Sequence, residues 1–447
     1  MPLPRIKHPN QYVNLQRLIN LPVGEYIAPP PPAFDQDLDM FQRPADLAYG
    51  HATKSLLFPL DPHITLLNHG SFGACSKPVL AVRDAYQALQ EFEPLKFMED
   101  YFPRIARVTR VVASYLNAEP RQIALVPNAS AASTSVLRSF PFPPNSVIIS
   151  FDLEYGAVAK QLNHVCATVG LQQHIVRTAV PFSKASILAA FQAGLDACAG
   201  RTIGMVVVDH ITSVTGLLLP LEDIIAMCRA RDIPVLVDGA HAIGQIPLDL
   251  TALAPDFYLS NFHKWMLAPK SAAFLYIREP EKYHVHPPIV SHGHGMGIAS
   301  NFSYIGTLDY ATYLSLPASL AFHEKMGGTA LMQRNHLLCV AAAQKLARAW
   351  QTSLITDDVE GMIGSICVVL LPQALFDGAT ANDLPDGLET LHLVLRKHYK
   401  IEVKTVCVHG QPGLRISVQM YNDAADYDLL ETAVLDILTR DASELAV

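Results

Sequence analysis

From Leu66 onward the chain alternates short apolar runs with amphipathic stretches, and this alternation limits the possible folds more than any other feature. Ile123–Val126, Val147–Ser150, Met205–Val208, Val235–Val237 and Phe257–Leu259 read as short strands. They lack polar alternation, so both of their faces are expected to be buried. Ala157–Val169, Ile187–Ala197 and Leu221–Arg231 lie between them and carry helical periodicity. Strand–helix alternation of this kind predicts an α/β fold: a large, mostly parallel sheet with helices on both faces. The pattern changes near Leu316. Helical stretches Leu316–Lys325 and Ala330–Ala349 are followed by strands at Ile363–Leu371 and Ile401–Cys407. A helix near Leu388–Lys397 and a closing helix at Asp426–Arg440 complete a smaller C-terminal α/β domain. The expected division is an N-terminal arm over residues 1–60, a large domain over 61–315 and a small domain over 316–447. The arm holds Pro29-Pro30-Pro31-Pro32 and reads as partly extended, either a disordered tail or an arm packing on the body or on a partner subunit.

Composition removes several function classes. The chain has 447 residues, half of them hydrophobic, enough for a large core and a smaller one. Its formal charge is −8, without the basic stripe a nucleic-acid partner would need. No apolar run reaches the ~18 residues of a membrane span. The opening MPLPRIKHPNQYVN has no apolar signal core, so a cytoplasmic protein is expected. Seven cysteines stand singly, with no CxxC spacing, as expected of reduced thiols rather than a disulfide frame or a zinc site. His292 and His294 lie in a glycine-rich run, Ser291–Gly297, without further ligands nearby. A loop bordering a site is expected there, and no metal.

Three segments could carry chemistry. Val235-Leu236-Val237 ends in Asp238-Gly239-Ala240-His241. The C-terminal ends of parallel strands face the ligand crevice, so this acid either caps the following segment or works in the site. Phe257-Tyr258-Leu259 runs into Ser260-Asn261-Phe262-His263-Lys264-Trp265. A lone lysine is usually a solvated surface group, but one in apolar surroundings loses charge easily and becomes a nucleophile or base. Its spacing from Asp238, about one strand–helix unit, would bring acid and amine to one crevice. Leu125-Val126-Pro127-Asn128-Ala129-Ser130 leads from a strand into a helix start, which is an ordinary cap or an anion site.

In this order the segments resemble the cofactor site of the class V aminotransferases, pyridoxal 5′-phosphate (PLP) enzymes of fold type I. Further matching pieces are Leu67-Asn68-His69-Gly70-Ser71-Phe72-Gly73, Gly306-Thr307 and Leu414–Asn422, so the likeness spans roughly residues 66–422. It is strongest to the isopenicillin N epimerase-like subgroup, which also holds C–S lyases. The resemblance implies that Lys264 carries the cofactor as a Schiff base and moves protons at Cα. It places Asp238 at the pyridinium nitrogen, His241 at the phenolic oxygen and Tyr155 on the ring face. Ala129, Ser130, Asn261 and His263 would hold the phosphate. Gly306 and Thr307 would reach it from the neighbouring subunit of a homodimer with shared sites. Thr212 and Ser213 would line the pocket. Arg415 would bind the carboxylate of a small amino-acid substrate, with Asn68 and His69 at the mouth. The family's cysteine desulfurases use a mobile-loop cysteine well ahead of that arginine. Here Cys407 stands close before Arg415 in an apolar run, as expected of a buried strand residue.

The expected function is therefore PLP-dependent chemistry at Cα and Cβ of a free amino acid. β-Elimination from a sulfur-containing substrate is favoured, with epimerisation or transamination as alternatives. A non-catalytic member of the fold would have lost Lys264 or Arg415, and both are present. A nicotinamide-dependent reductase would need a GxGxxG after an early strand, and none follows one.

Overall fold

The computed structural model describes residues 12–34, 44, 47–377, 380 and 382–445. Seven strands form the large sheet: β1 (Ile123–Val126), β2 (Val147–Phe151), β3 (Gln172–Val176), β4 (Ile203–Asp209), β5 (Val235–Asp238), β6 (Phe257–Asn261) and β7 (Ala273–Ile277). Their order across the sheet is β1-β7-β6-β5-β4-β2-β3. β7 runs antiparallel to both neighbours and every other pairing is parallel. All five expected strands are present, and β3 and β7 add two that the apolar-run reading left out. β3 closes one edge and is largely polar, QQHIV, so it offers no apolar run to see. The central strands are buried on both faces, as helices on both sides require.

The polypeptide changes direction at the strand ends that build the site. β5 ends at Asp238, and its register sets Asp238 beside Asp209 of β4 and Leu259 of β6. After β6 the chain turns back antiparallel into β7, and Lys264 lies in that return segment. β1 leads directly into the helix Ala129–Ser139, capped by Asn128, whose side chain accepts from the Ala131 amide at 2.8 Å.

The C-terminal part is a three-stranded antiparallel sheet of β8 (Ile366–Leu370), β9 (Lys404–Val408) and β10 (Gln411–Ser417), with β10 in the middle. The helices Thr329–Ala349, Leu384–Tyr399 and Ala424–Ile437 cover it. Side chains alternate along β10: Leu414 and Ile416 enter this small core, so Arg415 faces the other way, toward the large sheet. The expected run Ile401–Cys407 is divided between Ile401–Glu402, which pairs with Thr65–Leu66, and β9.

The N-terminal arm packs on the body. Its helix Tyr12–Asn20 buries Leu15 and Ile19 in the main core, beside the long helix Pro94–Tyr115. Arg110 of that helix donates to the Leu18, Ile19 and Leu21 carbonyls, satisfying groups a helix end leaves free, and its guanidinium lies 4.4 Å from the Tyr26 ring centre. Pro29–Pro32 lie outside any helix or strand; residues 1–11, 35–43 and 45–46 of the arm lie outside those described.

Candidate active site

The site begins with Lys264 and what surrounds its amine. Nζ lies 2.8 Å from His241 Nε2, and burial pushes the lysine from its ordinary value to about 8, although the nearby Asp238 and Asp209 carboxylates favour its charge. An amine so placed gives up its charge far more easily than an ordinary lysine, and the neutral form is the nucleophile. His241 is buried, and burial together with the Lys264 and Arg415 cations drives its pKa well down. Behind it, the Trp265 indole donates to His241 Nδ1 at 3.3 Å.

Asp238 is buried at its strand end, and its Oδ1 accepts from the Ala240 amide at 2.9 Å. Burial raises its pKa, partly offset by that amide and by Lys264. Two further acids share this region, Asp209 at the end of β4 and Glu154 after β2. Both are pushed well up by burial and then by neighbouring carboxylates. Among the described residues Asp209 Oδ2 and both Glu154 oxygens are buried without a hydrogen-bond partner. The sequence reading named neither, because an acid at a strand end reveals its neighbours only once the sheet order is known.

Tyr155, 45% exposed, stands at the start of the helix Gly156–Val169, directly after Glu154. Asn261 closes β6, and its Oδ1 accepts from the Ala129 amide at 2.9 Å, tying the lysine strand to the start of the helix Ala129–Ser139. Ser130 follows on that first turn, half-buried, with its carbonyl taken by Thr134 and Gln161. His263 sits beside Lys264, its Nδ1 3.2 Å from the Ala272 carbonyl, and burial lowers it to about 4.

Arg415 reaches across from the small sheet. Its Nη1 donates to the Ser213 carbonyl, and its Nη2 to Asn68 Oδ1 at 3.1 Å and Ser71 Oγ at 2.7 Å. Ser71 also donates to Asn68 Oδ1 at 2.6 Å, so the two residues brace the guanidinium together. Arg415 is 5% exposed, and burial lowers it to about 10, still cationic at neutral pH. Ser71 is a site residue the sequence reading did not single out.

Some expectations are corrected. His69 is not at the mouth: it is buried, with Nδ1 2.7 Å from Tyr421 Oη and Nε2 3.0 Å from the Lys264 carbonyl, so it anchors the lysine backbone from beneath. Ser213 meets Arg415 through its carbonyl, and the Thr212 hydroxyl is spent inside its own turn on Thr215 and the Leu217 amide. Cys407 is exposed rather than buried, because it faces outward on β9 opposite Pro412. Gly306 is half-buried and Thr307 exposed, in a segment held by Tyr310 Oη donating to the Gly306 carbonyl at 2.9 Å and by Tyr304 near Thr307, which leaves the expectation for them unchanged. His292 and His294 turn to different neighbours, the rings of Tyr304 and His286.

Close packing explains the glycine of the first motif. Gly73 has φ +67°, and a Cβ there would lie 2.0 Å from the His263 carbonyl oxygen. Only glycine lets this turn press against the lysine segment.

Comparisons with known proteins place the chain in a family. The family model described as aminotransferase class-V matches residues 96–430. A putative L-cysteine desulfhydrase 1 of Oryza sativa subsp. japonica is 33% identical, the match covering 83% of this chain and 82% of that protein. An isopenicillin N epimerase of Streptomyces clavuligerus is 29% identical over 85% of this chain and 96% of its own. The solved complex of the cystine C–S lyase C-DES with its product cysteine persulfide shares the fold. Its TM-score is 0.68 at 20% identity, and it covers 83% of this chain and 97% of that one.

Proposed function

Because this chain belongs to the class V aminotransferase family, whose members work with PLP, we propose that it is a lyase releasing sulfur from cysteine or a related amino acid. The residues suit that cofactor. A lysine amine of lowered pKa lies near a buried carboxyl, Asn261 ties the same strand end to a helix start, and Asp209 Oδ2, both Glu154 oxygens and Arg415 Nε are buried without a hydrogen-bond partner among the described residues. Lys264 is assigned to hold the group covalently, Asp238 to its ring nitrogen, His241 to its phenolic oxygen and Tyr155 to its face. Ala129, Ser130, Asn261 and His263 are assigned to its phosphate. Once bound, the group supplies a sink for negative charge at Cα.

The protein's part is positioning and proton movement. Arg415, braced by Asn68, Ser71 and the Ser213 carbonyl, takes the substrate carboxylate and fixes Cα above the lysine. Lys264 Nζ accepts the Cα proton, which its depressed pKa suits. For cysteine the balance is one amino acid and one water giving pyruvate, ammonia and hydrogen sulfide.

One observation favours elimination over transfer of sulfur to a protein cysteine. β9 and β10 join through a tight turn at His409–Gly410, and Lys404 pairs directly with Arg415. Cys407 is therefore fixed in a short hairpin, with no long loop to bring it over the site. The relatives named isopenicillin N epimerase support a second reading, proton return to the opposite face of Cα. We assign the enzyme to the cytoplasm, consistent with its free cysteines and with the lack, among the described residues, of any helix long and apolar enough to cross a membrane. We also assign a homodimer in which the Gly306–Thr307 segment completes the partner's phosphate site.

Product analysis tests the reaction. Purified enzyme given L-cysteine, L-cystine and cysteine S-conjugates should release pyruvate with equimolar ammonia. Loss of optical rotation without pyruvate would replace elimination by epimerisation, and a different keto acid formed only with an amino acceptor would mark transamination.

A further inference from the structure

Trp265 follows Lys264 directly, yet its indole is turned away from the crevice and fully buried with Ile211 and Ile366. Its one polar atom meets His241 Nδ1 at 3.3 Å. An indole nitrogen can only donate, so Nδ1 must present its lone pair. A neutral imidazole then carries its single proton on Nε2, the atom 2.8 Å from Lys264 Nζ. An Nε2–H can bond to Nζ only if the lysine offers a lone pair, that is, as the free amine. An imidazolium is excluded by the same contact, since an Nδ1–H would face the indole N–H.

We propose that Trp265 is a positioning residue: its indole fixes His241 as the Nε2–H tautomer, which in turn holds Lys264 as the free amine. This rests on the reading above that Lys264 carries the cofactor. With PLP bound, the Lys264 amine lone pair would form the C–N bond to the cofactor's aldehyde carbon, the aldehyde oxygen leaving as water with the two amine protons. Without the indole, His241 is free to move its proton to Nδ1 and accept at Nε2 from a lysine ammonium, which cannot attack. The charged and titratable groups facing the pair are Asp238, Asp209, Arg415, His69 and His263. Of the groups around the ring, it is the Trp265 indole that donates to Nδ1.

The test uses the full chain with ring-labelled histidine, the His241 signals being identified by their loss in H241Q. Nitrogen shifts should report the Nε2–H tautomer alone in the wild type and a mixture in Trp265→Phe. The second readout is the pH profile for reloading PLP onto the full chain after the cofactor is removed, followed by its absorbance. Its midpoint should lie near the depressed lysine value of about 8. In Trp265→Phe it should move up by about one pH unit, a roughly tenfold slower reloading at neutral pH. In the H241Q background, where no ring tautomer exists, the same change should add less than about twofold.

An Nδ1–H tautomer in the wild type overturns the proposal. Equal slowing of Trp265→Phe in both backgrounds does too, since that marks packing alone. If Trp265→Phe fails to fold, the wild-type tautomer decides. Lys264→Ala separates the two readings: if it forms the same absorbance band, the assignment of Lys264 fails while the tautomer result stands.

Discussion

Replacing Arg415 tests both the substrate class and the way the two parts of the chain meet. Its guanidinium is anchored on one side by the Ser213 carbonyl, Asn68 and Ser71, while Nε is buried with no partner among the described residues. Three of its five N–H groups are thus engaged, and Nε–H and one Nη1–H are left for a carboxylate. Arg415→Lys keeps the charge but replaces the fork with a point donor. One charge-assisted hydrogen bond of the pair is then lost, worth about 1.5–3 kcal/mol. Binding should weaken roughly 10- to 100-fold. Arg415→Ala removes the only cation assigned to the carboxylate and should cost about 3–5 kcal/mol, roughly 10²- to 10³-fold or more. The absorbance of the bound cofactor without substrate should be unchanged in both, because the arginine is assigned to the substrate alone. The assay is a titration with L-cysteine and with a non-eliminating analogue such as L-alanine, followed by the cofactor spectrum. Cysteamine has the same amine and thiol without the carboxylate. If wild-type enzyme binds cysteamine as tightly as cysteine, the role of Arg415 is wrong and the amino-acid substrate class falls with it.

Three further perturbations probe other parts of the structure. Asp238→Ala should fold and bind PLP but lower turnover by at least roughly 10²-fold, since no other acid is assigned to the ring nitrogen; near-normal kcat would refute the assignment. Gly73→Ala forces a Cβ to 2.0 Å from the His263 carbonyl at a positive φ. It should destabilise by about 3 kcal/mol or more and lower Tm, and an unchanged melt would show that the turn can move. His323 is buried against the Gly244 carbonyl at 3.3 Å, and burial lowers it from 6.5 to about 4. The unfolded chain therefore takes up this proton first, so wild type loses up to ~1.4 kcal/mol per pH unit as pH falls from 6.5 toward 4. His323→Gln escapes that loss, so the stability gap between the two in urea melts should narrow from pH 7 to pH 5; a constant gap would contradict the buried neutral ring.

The central strands were legible because a sheet covered on both faces leaves continuous apolar runs, and these runs also put Asp238 at a strand end and Lys264 just past one, while the roles expected of them came from the resemblance. β3 was not, since an edge strand facing solvent can be built from Gln172-Gln173-His174. The helices Lys77–Phe92 and Pro94–Tyr115 went unnamed although their periodicity is plain. Pro94 occupies a first-turn position where no amide donor is needed, while Pro103 lies inside the helix. Trp265, Asp209 and Glu154 could not be weighed at all from their own surroundings. Their meaning lies in partners on other strands, and register, not composition, decides which strand ends meet.

The motif Asn68-His69-Gly70-Ser71 shows that some of the remainder was recoverable. The sequence reading placed Asn68 and His69 together at the mouth, as adjacent residues invite. But His69–Phe72 is a short helical turn with Asn68 at its cap. On such a turn positions three apart share a face, and adjacent ones diverge by about 100°. Asn68 and Ser71 should then point one way and His69 another. That is what the structure holds: the first pair meets Arg415, and His69 faces the Lys264 carbonyl and Tyr421. The two contacts are coupled through this one turn. It braces Arg415, assigned to the substrate carboxylate, on one face and the backbone of Lys264, assigned to the cofactor, on the other, so the distance between them depends on four consecutive residues rather than on the docking of the two sheets alone. A His69→Ala change should therefore disturb Lys264 without touching Arg415. It should slow Cα proton removal more than it weakens substrate binding, and a variant in which only KM rises would show that the turn does not transmit position in this way.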